Sequence, residues 1–386
     1  MEVVGPASGT TQGGTSLGAA FDPRRNSLNL IRLLLAFAVL VDHCFLLGGF
    51  GGLSIGDRTG VGGLAVLGFF ALSGFLVAGS MESSTALGYL RKRTLRIYPG
   101  FMVALVVTAF VIAPISWLSR PPVGDCTGWC AIFGGDGSVM YVLRKFALWP
   151  FQLGIAGTPA DVPFAGVWNG PLWTLFFEFF CYLLLLGLAL LGVLRHRKVL
   201  LAVTAVFWGL EIIVASVPTW AHGFNQFQYP VLQPLMMFIP VFLTGSVLWA
   251  YRDRVPFNGG LALLSTAAFV AAYWLPIGVD MPVYVITSVT TAAPLIAYPL
   301  IWLGLRVHQA PAWRRHDFSY GTYIYACPVQ QLLVIWGFAR FGVVPYIVAT
   351  VLLTAPFALA SWHFVESPAL RFARRPRAVE RVQVAA

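Results

Sequence analysis

The chain has 386 residues, of which 58% are hydrophobic and only 10% charged, and its mean hydropathy is +0.78. A soluble domain carries about 25% charged residues to face water, so this composition excludes one and puts most of the surface in lipid. The net charge of +10 falls in short clusters between apolar runs, which argues for membrane orientation and against a nucleic-acid partner.

Residues 1–24 are rich in Gly, Ser and Thr and lack the basic start and apolar core of a signal peptide, so they read as a disordered tail. Ten apolar runs follow, each near the twenty residues that cross a bilayer as a helix: 28–49, 61–80, 97–116, 171–194, 199–217, 230–251, 258–276, 284–305, 318–339 and 343–364. The seventh and eighth are interrupted by Pro276, Pro282 and Pro294, which membrane helices tolerate when neighbours satisfy the freed carbonyls. The expected fold is therefore an all-α polytopic bundle of about ten helices, with a membrane domain over 25–367 and a basic tail over 368–386. With the N-terminus in the cytoplasm, 19 basic residues lie inside and 5 outside. That asymmetry predicts both termini inside. It makes 117–166 the longest outer loop, and long loops in compact bundles are often functional. Cys44, Cys181 and Cys327 lie in apolar runs, whereas Cys126 and Cys130 share the outer loop, as a disulfide or as free thiols. No His/Cys cluster has metal-ligand spacing.

Ionisable side chains within a span are costly, so each is a functional candidate. The set is Arg32, Asp42, His43, Glu178 and Glu211. Arg32 and His43 are eleven residues apart, nearly three whole turns, so they share one helix face about 16 Å apart. The plain alternative is that Arg32 snorkels and His43 bonds a carbonyl. Glu178 lies about 11 Å below its helix end, near the depth of His43. A carboxylate there would orient and stabilise an imidazolium, or bond across helices as a structural residue. Asp42 is a third catalytic candidate by adjacency, although neighbouring residues do not face each other on a helix. Between the second and third spans runs RKRTLRIYPG. Its Arg93 and Arg96, three apart at a helix start, suit phosphate binding. Positive-inside dressing explains them equally well.

Together these segments resemble acyltransferase family 3, the bacterial membrane O-acyltransferases of O-antigens, nodulation factors and macrolides. The first span, NLIRLLLAFAVLVDHCF, has the family's Arg and His at Arg32 and His43; GFFALSGFLVAGS resembles its SGF segment at Phe69, Phe70, Ser73, Gly74 and Phe75. RKRTLRIYP resembles the Arg-x-x-Arg element at Arg93 and Arg96, followed by Tyr98 and Pro99; LWTLFFE resembles the Trp and Glu motif at Trp173 and Glu178. SYGTYIYACPV, with Ser319, Tyr320 and Tyr323, and FVESP, with Glu366 and Pro368, resemble the C-terminal elements. Two features depart. Asn29 stands where an acidic residue commonly precedes the Arg, and Ala326 replaces a frequent histidine. With only a short basic tail after the last span, a stand-alone form is expected.

The resemblance implies acyl-coenzyme A, acetyl-CoA in the simplest case, as a cytoplasmic donor and no metal. Arg93 and Arg96 would bind its phosphates, with Arg32, Ser73 and Tyr98 as further donor-binding candidates. His43 would act as general base on an acceptor hydroxyl, or carry the acyl group briefly, with Glu178 setting its tautomer. The acceptor would be a carbohydrate, glycolipid or macrolide, and the site the inner membrane of a bacterium, where a homodimer is compatible. The rival reading is a secondary transporter with Arg32, Glu178 and Glu211 along its path.

Overall fold

A computed structural model describes residues 15–53, 60–120, 128–216, 231–274, 292–307 and 316–374. Among these residues the chain is helical, with isolated bridges at Ser16–Pro256 and Ile155–Thr158 but no strands. Five helical stretches are long and apolar enough to cross a membrane. They are Leu28–Leu47, Val61–Glu82, Ala86–Trp117, Trp173–Leu190 and Val343–Ala373. The chain is thus a helical membrane protein. The runs expected near 230–251, 258–276 and 284–305 contain shorter apolar helices, and residues 275–291 lie outside the described residues.

The sequence before the first span is more ordered than its composition suggests. From Thr15 the chain docks on the bundle, correcting the expected disorder over that stretch. Ser16 caps the short helix α1 (Leu17–Ala20), and the Leu17 N–H donates to the Val255 carbonyl at 2.9 Å. Leu17 is fully buried, which contributes about 1.5–3 kcal/mol, and Phe21 packs edge-on against Phe75 and Trp249. The ordered segment leads into α2 (Leu28–Leu47).

Helices α2 and α3 (Val61–Glu82) pack together and form part of the site. Helix α4 (Ala86–Val107) starts eleven residues before the expected span, because the Thr85 hydroxyl accepts from the Gly88 N–H and caps it. RKRTLRIYPG therefore lies within a helix, and Arg93 sits seven residues from its first residue, too far in for the helix end to supply phosphate donors. Pro99 lies inside α4, and a π-helical turn over Thr108–Ile112 leads into α5 (Ala113–Trp117); both are recognised causes of helix bending.

The outer-loop sequence holds α6 (Trp129–Phe133) and α7 (Ser138–Arg144), then a segment that runs into the bundle rather than over it. Ile155, Thr158, Trp168 and Asn169 are buried there. Buried irregular backbone needs partners: Gln331 donates to the Phe164 and Val167 carbonyls, both at 2.8 Å, and Asn169 donates to Ile324 at 2.8 Å. Cys130 is disulfide-bonded, and Cys126 lies outside the described residues. The segment ends at α8 (Trp173–Leu190), followed by α9 (Arg197–Ser216), α10 (Leu232–Ala250), α11 (Gly259–Trp274), α12 (Ala297–Arg306), α13 (Ser319–Ile335), α14 (Val343–Ala360) and α15 (Ser367–Arg374). A second π-helical turn, Ser361–Glu366, joins the last two.

Helices α3 and α10 cross closely. A Cβ on Gly74 would stand 1.8 Å from the Phe242 carbonyl oxygen, and one on Gly245 would stand 2.1 Å from that of Ala71. Small residues at such crossings let membrane helices approach closely.

Candidate functional site

The site is built where α2, α3, α8 and α13 meet. Arg32 on α2 donates to Asp317 at 2.8 Å. Asp317 lies just before α13, 285 residues further along the chain. The same carboxylate oxygen accepts from Arg96 at 2.6 Å, and Arg96 also pairs with Glu366 at 3.4 Å. The π-helical turn carries Glu366 to this point, where Ser361 donates to its other oxygen at 2.9 Å. Burial alone would raise the Asp317 pKa, but Arg32, Arg96 and the Ser319 bonds hold it at about 2. Asp317 thereby supplies the acidic partner of Arg32 that is missing beside it in sequence.

Arg93 and Arg96, equivalent in sequence, are not equivalent in space. Arg96 is spent on two carboxylates. Arg93 donates to the Ser80 hydroxyl at 3.2 Å, and its guanidinium lies 5.7 Å from the centre of the Tyr182 ring. Among the described residues it makes no ion pair, and its buried Nε has no hydrogen-bond partner. Tyr98, another donor-binding candidate, packs its ring against Phe146 and Phe179.

Beside Arg32 a cavity opens. Its polar lining is Arg32, Thr174, Glu178, Ser319, Tyr320 and Tyr323; its apolar wall is Val66, Phe69, Phe70 and Leu175. Arg32 thus meets Glu178 across one cavity whose walls come from four helices. Ser73 donates to Glu178 Oε1 at 2.9 Å, and Tyr182 donates to the same oxygen. Thr174 and Tyr323 share a hydrogen bond of 2.7 Å. Glu211 is buried on α9 and does not line this cavity, so the three residues of a transport path are not gathered in one chamber.

His43 and Glu178 are not joined. The His43 ring makes its hydrogen bond through Nδ1 to the Val39 carbonyl at 2.9 Å. A carbonyl only accepts, so this bond places the proton on Nδ1 and the lone pair on Nε2. The tautomer expected from Glu178 is set within α2 itself. His43 is not among the cavity-lining residues. Asp42 also has other work: it accepts from the Gly62 N–H and crowds Gly60 and Gly62 at the start of α3. A carboxylate at a helix N-terminus satisfies its unpaired N–H groups. Val66, in the cavity wall, lies one turn along α3 from Gly62.

Lys145, within the stretch expected to form the outer loop, is 1% exposed. Among the described residues its amine has no hydrogen-bond partner, and it lies 3.7 Å from the centre of the Tyr141 ring. Burial pushes its pKa down to about 7. The unfolded chain therefore binds more protons between about pH 7 and the ordinary lysine value, and stability rises with pH across that window. Lys145→Met should raise the melting temperature of detergent-purified protein by about 2 °C or more at pH 7. The gain should shrink towards pH 10. A gain that does not change with pH would show that the amine is not the cause.

Comparison with known proteins places these features. Residues 25–364 match a family described as an acyltransferase domain. An O-acetyl transferase of Shigella phage Sf6 is 27% identical over 365 residues, covering 89% of this chain and 95% of that protein. Nodulation protein 10 of Rhizobium leguminosarum bv. viciae is also 27% identical, over 378 residues, covering 90% of this chain and 94% of that protein. No solved structure matches.

Proposed function

The chain belongs to the acyltransferase-domain family, and from that premise we propose that it transfers an acetyl group from acetyl-coenzyme A in the cytoplasm to a hydroxyl of an envelope carbohydrate or glycolipid. The observation that carries this reading is the cavity lined by both Arg32 and Glu178, with the basic helix α4 beside it. A thioester arm needs a polar way through protein, because its polar amides are costly to expose to lipid. The relative named as an O-acetyl transferase supports the choice of acyl group.

In this reading Arg93 binds the coenzyme phosphates, because its charge is not already paired with a carboxylate. Arg96 fixes the architecture through Asp317 and Glu366. Arg32 marks the cytoplasmic end of the passage. His43 takes the acceptor proton on Nε2 as the hydroxyl attacks the thioester carbonyl, and the coenzyme leaves as its thiol.

The full chain in lipid nanodiscs should bind coenzyme A measurably by calorimetry. Arg93→Ala should weaken that binding at least about tenfold, the worth of a charge-assisted phosphate contact. Equal affinity in the variant would remove Arg93 from donor binding. Absence of coenzyme A binding in the parent protein would sink the donor assignment itself.

A further inference from the structure

Two parts of the site converge on Tyr182, which no motif above singles out. Its side chain is buried on α8, one turn beyond Glu178, and residues four apart share a helix face. The backbone there is pinned by the Tyr89 hydroxyl, which donates to the Tyr182 carbonyl at 2.9 Å. The Tyr182 ring lies beside the Arg93 guanidinium, 5.7 Å from centre to carbon. Its hydroxyl donates to Glu178 Oε1, and so does Ser73 Oγ.

Both donors therefore meet one carboxylate oxygen. Among the described residues Glu178 Oε2 accepts no hydrogen bond, although Glu178 lines the cavity. Since it is not among the buried atoms left without a partner, this oxygen stands open to a donor that enters the cavity. The phosphates of a coenzyme are repelled by it, whereas a neutral hydroxyl is attracted. Resting on the acyl-transfer reading above, we propose that Tyr182 is a positioning residue shared by both substrates: its ring braces Arg93 for the donor, and its hydroxyl aims Glu178 Oε2 at a second hydroxyl of the acceptor, beside the one that is acylated.

The two functions separate by substitution. Tyr182→Phe keeps the ring and loses the hydroxyl; Tyr182→Leu loses both. The test uses the full chain in nanodiscs, measuring the Kd for coenzyme A and the thiol released from acetyl-CoA with an envelope glycan extract as acceptor. Tyr182→Phe should leave the Kd within about twofold and lower turnover at saturating donor about tenfold, the scale of a lost hydrogen bond to a charged group. Tyr182→Leu should also weaken coenzyme A binding about fivefold, as a lost cation–π contact implies. Ser73→Ala, which removes the other bond to Oε1, should lower turnover with the Kd unchanged, and it carries the test if the tyrosine variants do not fold. Parental turnover in Tyr182→Phe, or in Ser73→Ala where that is the variant available, overturns the proposal. So does a Kd weakened equally in Tyr182→Phe and Tyr182→Leu. A parent that neither binds coenzyme A nor releases thiol overturns the acyl-transfer reading as well, which distinguishes the two failures.

Discussion

His43→Ala is expected to lower acetyl transfer by on the order of a hundredfold or more, the usual loss when a general base is removed. The expectation rests on the bond between Nδ1 and the Val39 carbonyl, which leaves the basic lone pair on Nε2. That bond lies within α2, so truncating the ring breaks no tie between helices. The melting temperature in detergent should stay within about 2 °C of the parent, separating lost chemistry from lost fold. The measurement is the acetyl content of envelope glycans by mass spectrometry, in cells carrying either protein at matched abundance. Retention of more than a tenth of the parental acetylation would exclude His43 as the base. His43→Gln, which keeps a polar side chain but no base, should be as inactive as the alanine variant.

Asp317→Asn should have the largest structural effect. One oxygen of Asp317 serves two guanidiniums, at 2.8 and 2.6 Å. Arg32 and Arg96 are themselves largely buried, so removing the negative charge leaves them inadequately compensated. Breaking a buried pair in this way costs about 3–5 kcal/mol, and the melting temperature should fall on the order of 10 °C. Because the Asp317 pKa is held at about 2, its stabilisation is complete above the ordinary carboxylate range and is lost as pH falls through 2. The gap between parent and variant should thus persist from pH 5 to 8. Asp317→Glu should recover part of it. A melting temperature equal to the parent's at pH 7 would mean that the two arginines need no shared counter-ion.

Much of this site was legible because it obeys helical periodicity or breaks a composition rule. Arg32 stands out as a charge in an apolar run, and so does Glu178; both line one cavity. The relation between His43 and Glu178 was not legible, since matching depth on two helices does not fix their rotation. Asp317 went unnoticed because it sits in a polar stretch, RRHDFS, where an aspartate looks solvent-exposed. Its burial depends on Arg32 and Arg96 arriving from distant parts of the chain. Arg93 and Arg96 show the same limit: three residues apart, they differ because only one meets the π-helical turn bearing Glu366. For Lys145 the misleading signal was the loop composition, which does not reveal that the segment dips into the bundle. The early start of α4 was visible in principle, through Thr85, a residue type that caps helices.

The contact of Gly74 and Gly245 with opposing carbonyls bears on any attempt to re-engineer the catalyst for bulkier acyl chains. Even one methyl group at either position acts as a wedge, prying α3 from its neighbour and displacing Phe69, Phe70 and Ser73 together. Enlargement is better sought at Val66, whose trimming would deepen the chamber and leave that hinge of bare backbone undisturbed.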